Sequence, residues 1–103
     1  MIYLDHGSTS FPKPPQVLRA VGEAMARCAN PGRGSHAAAR AGAEVLFGCR
    51  EAAGELFRIA PENVVLTMSC THGLNMAIRT LVSHKDRVVI TGFEHNAVTR
   101  PLH

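Results

Sequence analysis

Val64-Val65-Leu66-Thr67-Met68-Ser69-Cys70-Thr71-His72-Gly73-Leu74-Asn75 opens the stretch that decides the fold class, and Ser83-His84-Lys85-Asp86-Arg87-Val88-Val89-Ile90-Thr91 closes it. Val64–Thr67 is rich in β-branched residues, and its apolar positions are continuous rather than alternating. That is the pattern of a strand buried on both faces. Met68-Ser69-Cys70 is a tight connection. From Thr71 to about Val82 the apolar residues Leu74, Ala77, Ile78 and Leu81 recur at helical spacing. Ser83–Asp86 is a turn and Arg87–Thr91 a second buried strand. Strand, helix, strand with continuous apolar strands predicts a parallel βαβ unit and an α/β class.

Upstream, two helices are expected. One runs from about Pro15 to Cys28, with Val17, Leu18, Val21, Ala24, Met25 and Cys28 as its stripe and Pro15 in the first turn, where a missing N–H costs nothing. The other runs from about His36 to Phe57, with Ser35 as a candidate cap. Val45, Leu46, Cys49, Ala52, Ala53 and Leu56 form its buried face. Between them Asn30-Pro31-Gly32-Arg33-Gly34-Ser35 is a loop, because two glycines and a proline in six residues break any regular element. Ala60-Pro61-Glu62-Asn63 is a turn. Ile2-Tyr3-Leu4 is a short apolar run that ends in the polar loop Asp5-His6-Gly7-Ser8-Thr9-Ser10.

The length of 103 residues suits one domain. With 46% hydrophobic and 18% charged residues the chain is a globular and not a disordered one, and without Trp its core must be aliphatic. The net charge of +3 is scattered, so no nucleic-acid surface is indicated, while an anionic ligand suits it. No secretory leader opens the chain and no apolar run could span a bilayer, so a cytoplasmic protein is expected. Cys28, Cys49 and Cys70 form neither a disulfide framework nor a zinc site, and Cys28 and Cys49, on apolar helix faces, are expected in the core. The six histidines contain no His-x-x-x-His pair, so no metal is expected.

Four constellations carry candidate chemistry. At Thr67–Asn75 a strand gives way to a helix, whose free N–H groups and positive dipole end suit a phosphate, aided by the Ser69 and Thr71 hydroxyls. The alternative is that Thr71 merely caps the helix. Glu94-His95-Asn96 follows the second strand, where His95 can stack on a flat ring or transfer a proton. Asp5–Thr9 is a polar loop. Arg33-Gly34-Ser35-His36 exposes an Arg able to hold a carboxylate or phosphate. Taken alone, the last two read more readily as solvated loops, and His95 as a loop histidine exposed to water.

Together the four occur in an order that resembles the class V aminotransferase-fold, cysteine desulfurase-like enzymes. Tyr3–Pro14 resembles their "YLDNAATSFPKP" opening, Asn30–His36 their "NPGRGxH" loop, Thr67–Asn75 their "TSGATEAxN" segment, and Glu94–Leu102 their "EHNSVxRPL". The resemblance implies a fold-type-I, three-layer α/β/α domain that uses pyridoxal 5′-phosphate. Residues 1–103 would be its N-terminal segment and the start of its large domain, with no second domain. Cys70 and Thr71 would cradle the cofactor phosphate and His95 would stack on its ring as the catalytic histidine. His6, Gly7 and Ser8 would line the amino-acid side, and Arg33 and His36 would lie near the active site and a homodimer interface. His6 stands where the family has Asn, Gly7 and Ser8 where it has alanines, and His72 where it has Glu. The family's cofactor-binding Lys, its Asp for the ring nitrogen and its sulfur-accepting Cys all lie beyond the point that these residues match. The chain is therefore expected to be part of a longer enzyme and inactive alone. Cysteine desulfuration to alanine is the reaction best matched, with transamination, selenocysteine cleavage or epimerisation open. A truncated, non-catalytic protein that binds phosphate compounds or a partner chain is the alternative. The family's later strands separate those like Val64–Thr67 and Arg87–Thr91, so the sheet is expected to be incomplete.

Overall fold

All 103 residues are described in a computed structural model. They form two compact units, Met1–Val64 and Val65–His103. The first holds α1 (Pro15–Arg27), α2 (Ala37–Phe57) and a 3-10 turn at Pro61–Asn63. The second holds α3 (Cys70–Leu81), α4 (Asn96–Thr99) and a 3-10 turn at Arg100–Leu102.

In the first unit Pro15 opens α1, and Arg27 in its last turn complements the dipole. Cys28 leaves the helix in an extended conformation, with its N–H on the Ala24 carbonyl. The chain then turns back along α2, and the Ala29 N–H donates to the Ala38 carbonyl at 2.9 Å. The helix caps differently from expectation. His36, not Ser35, caps α2, its ring Nδ1 accepting from the Ala39 N–H at 3.3 Å. α2 buries Ala39, Gly42 and Gly54. The small side chains admit backbone at close range: a Cβ on Gly42 would stand 2.5 Å from the Ala29 oxygen, and one on Gly54 2.7 Å from the Ile59 oxygen.

α2 ends at Arg58, which is left-handed at φ 57° and ψ 45°. A side chain there works against the local sterics. Arg58→Gly is expected to stabilise the first unit by about 0.5–1 kcal/mol. A rise in the urea midpoint at unchanged slope would bear this out, and an unchanged or lower midpoint would contradict it.

The expected α/β sheet is not formed, because no residue of the chain lies in a β-strand. The helix expected between the strands is present as α3, but 64–67 and 87–91 have no ladder partner. A run that is apolar on both faces needs neighbours on both sides before it can be a buried strand. Without them Val65 is 66% and Val89 90% exposed.

The expected helix stripes are likewise covered only in part. Val45 and Ala53 of α2 and Leu74 and Ile78 of α3 are half-buried, whereas Leu46, Ala52, Leu56, Ala77 and Leu81 are exposed. Cys28 is half-buried, and Cys49, expected in the core, is exposed. Ala39 and Ala97 are the only buried hydrophobic residues. The chain exposes 8980 Å². A compact monomer of its mass would expose about 5,700 Å², and two separate compact bodies of its two parts roughly 6,800 Å². Large hydrophobic side chains are among those exposed, with Met25 at 81%, Met68 at 88% and Phe93 at 100%. No helix is long and apolar enough to cross a membrane.

Candidate functional site

The second unit builds its site around the start of α3. Ser69, extended at φ −164°, is the cap: its Oγ accepts from the His72 N–H at 3.1 Å and its carbonyl from the Gly73 N–H at 3.0 Å. The Thr67 hydroxyl donates to the same Ser69 carbonyl at 3.0 Å, tying the incoming segment to the turn. Thr71 is therefore not the cap. The N–H groups of Cys70 and Thr71 have no acceptor within the chain, and they sit at the positive end of a twelve-residue helix. Asn75, one turn on, donates from Nδ2 to the Thr71 carbonyl at 2.9 Å. His72 is exposed on the first turn.

Ser69→Ala removes the oxygen that the His72 N–H uses. It is expected to cost about 1 kcal/mol and to raise amide exchange in the first turn of α3 ahead of the rest of the unit. Unchanged exchange at His72 would show that Ser69 does not hold the turn.

α4 brings His95 to this place. His95 caps α4, its Nδ1 accepting from the Ala97 N–H at 3.0 Å. Ala97 is 6% exposed, and α3 and α4 pack together with the 3-10 turn that follows. Just before them, Glu94 accepts from the Thr91 hydroxyl at 2.9 Å. Thr71, Asn75, His95, Asn96, Ala97 and Arg100 together line one cleft of about 410 Å³. The lining holds a guanidinium, a hydroxyl, two amides and an imidazole, and no carboxylate. Such a lining favours an anion. A second, larger hollow of about 750 Å³ is lined among others by Ile78, Val82, Val88, Ile90 and Leu102.

Thr71 and His95, singled out on separate segments, thus meet in one cleft. Cys70 is exposed at the first position of α3, next to Thr71. The other expected site residues belong to the first unit. His6 is exposed, its ring edge-on to Tyr3 with 4.9 Å between centroids. Gly7 and Ser8 lie in a turn closed by the Ser8 N–H on the Asp5 carbonyl at 3.1 Å. Tyr3 holds that loop from within, its hydroxyl donating to the Thr9 carbonyl at 2.9 Å. Lys13 Nζ donates to the Thr9 hydroxyl at 2.8 Å. Arg33 is exposed, and His36 is engaged as the cap of α2.

A model of the family described as Aminotransferase class-V matches residues 2–103. The chain belongs to the class-V aminotransferase family. This class-V chain is also 29% identical over 87 residues to a selenocysteine lyase of Bos taurus. The match covers 84% of the chain and 20% of the lyase. No solved structure matches it.

Asn75, Asn96 and Arg100 stood inside the candidate segments but were given no role of their own, and all three line the cleft. The signal available for Asn75 was its place four residues after Thr71, on the same helix face. For Arg100 it was its place in the Glu94–Leu102 motif.

Proposed function

We propose that this class-V chain supplies the phosphate side and the ring-stacking histidine of a pyridoxal 5′-phosphate site in an amino-acid enzyme. The observation that carries the proposal is the shared cleft of Thr71 and His95. The residues fit the group: the free Cys70 and Thr71 N–H groups, the Thr71 hydroxyl and Arg100 suit its phosphate, and the His95 ring suits a flat heterocycle. When bound, pyridoxal phosphate serves as an electron sink for the carbanion of an amino acid. The chain's own residues anchor and orient it. The α3 start neutralises the phosphate, Asn75 stays fixed through its bond to the Thr71 carbonyl, and His95 covers one face.

His6, Gly7, Ser8, Arg33 and His36 are proposed for the amino-acid side, and a homodimer in the cytoplasm for the assembly. Residues 64–67 and 87–91 are proposed to form strands where further strands pair with them. Within the family, removal of sulfur from L-cysteine to an enzyme cysteine, leaving L-alanine, is the reaction we favour. Likeness to a selenocysteine lyase supports cleavage at the β-carbon over transamination. The full enzyme is expected to release alanine from L-cysteine with a thiol acceptor, or from L-selenocysteine. Amino-group transfer to a keto acid with no alanine from either substrate would refute the lyase reading.

A further inference from the structure

We infer that His95 presents Nε2–H to the cleft as a hydrogen-bond donor, its Nδ1 lone pair held by the backbone N–H of Ala97. A neutral imidazole has one N–H and one lone pair. The Ala97 N–H approaches Nδ1 at 3.0 Å, so the lone pair is on Nδ1 and the proton on Nε2. Ala97 is buried and belongs to the helix that His95 starts, so this contact is set by the fold and not by a mobile loop. Nε2 has no partner within the chain, and His95 lines the cleft with Thr71, Asn75 and Arg100.

Two consequences follow for the site. The ligand group beside His95 must accept a hydrogen bond or present the face of a ring. Taking up a proton at Nδ1 would turn the acceptor into a donor and release the start of α4. These consequences rest on the proposed cofactor reading only in naming the ligand; the tautomer itself does not depend on it.

The experiment is long-range proton–nitrogen NMR on the protein as isolated from cells, labelled with nitrogen-15 in histidine only. His95→Asn assigns the signal and, because the Asn carbonyl oxygen replaces Nδ1 as acceptor, keeps the cap. The expected result is a single form of His95 with Nδ1 bare and Nε2 protonated. His84 and His103, which no backbone N–H engages, should show averaged tautomers. His95→Gln, which keeps a group in the Nε2 position and loses the cap, should melt lower than His95→Asn. A proton on Nδ1, averaged tautomers at His95, or equal melting of the two variants would overturn the inference. A failure to bind any pyridoxal compound would leave the NMR result standing and would count against the cofactor reading instead.

Discussion

Replacing Gly42 by alanine is expected to unfold the Met1–Val64 unit or to lower its melting temperature sharply. The added Cβ would stand 2.5 Å from the Ala29 carbonyl oxygen, with Pro31 carbons 3.6 Å away on the same side. The clash is with backbone, so no rotamer relieves it. The Ala29 N–H is also bonded to the Ala38 carbonyl, which prevents the 28–38 loop from swinging clear. Overpacking of this kind costs about 2–3 kcal/mol. The unit has one buried hydrophobic residue, Ala39, so little stability is held in reserve. Gly54→Ala should act alike through the Ile59 oxygen, whereas Gly48→Ala, which meets nothing within 4 Å, should be neutral or slightly stabilising in mid-helix. Circular dichroism melts of the three variants check this. A Gly42→Ala melt equal to that of Gly48→Ala would mean that the α2 approach to Ala29 is not as described.

The second large effect concerns the cleft. Thr71→Val keeps size and shape but removes the hydroxyl, and His95→Ala removes the ring that lines the same cleft. Each is expected to weaken capture of a pyridoxal phosphate compound by about tenfold, the loss of one good polar or stacking contact. On the proposed reading the two residues would touch different parts of one compound, so the double variant should lose roughly a hundredfold. Ser69→Ala should weaken binding less, because Ser69 supports the turn without lining the cleft. Binding by the double variant equal to the parent's would remove the cleft from the cofactor site.

What could be read from the sequence was local. The α1, α2 and α3 helices begin and end within a residue of expectation, because Pro15, the alanines of α2 and the Leu74–Ile78 spacing are short-range signals. The anion-binding start of α3 was legible for the same reason, since a small polar turn ahead of an apolar stripe makes a helix N-terminus. Caps were less legible. His36 takes the place expected of Ser35 at α2 and Ser69 that expected of Thr71 at α3, while α4 is capped by His95, and both histidines cap through Nδ1. The sheet was not legible, because Val64–Thr67 and Arg87–Thr91 encode only a readiness to be buried on two faces. Whether they pair depends on neighbours that these segments do not contain. Burial failed in the same way: the stripe of Val17, Leu18, Val21 and Met25 is correctly spaced yet open, at 46–81% exposure. A stripe states that a face must be covered and leaves unsaid by what.

The most direct test is a titration of pyridoxamine phosphate into the chain, followed by phosphorus NMR and by fluorescence of the pyridine ring. Its amine cannot condense with Lys13 or Lys85, so only a shaped site will hold it. Saturable binding is predicted, displaced by inorganic phosphate at high concentration and weakened by Thr71→Val and by His95→Ala. Absence of saturable binding, or binding that both substitutions leave unchanged, would contradict the assignment of this cleft to the cofactor.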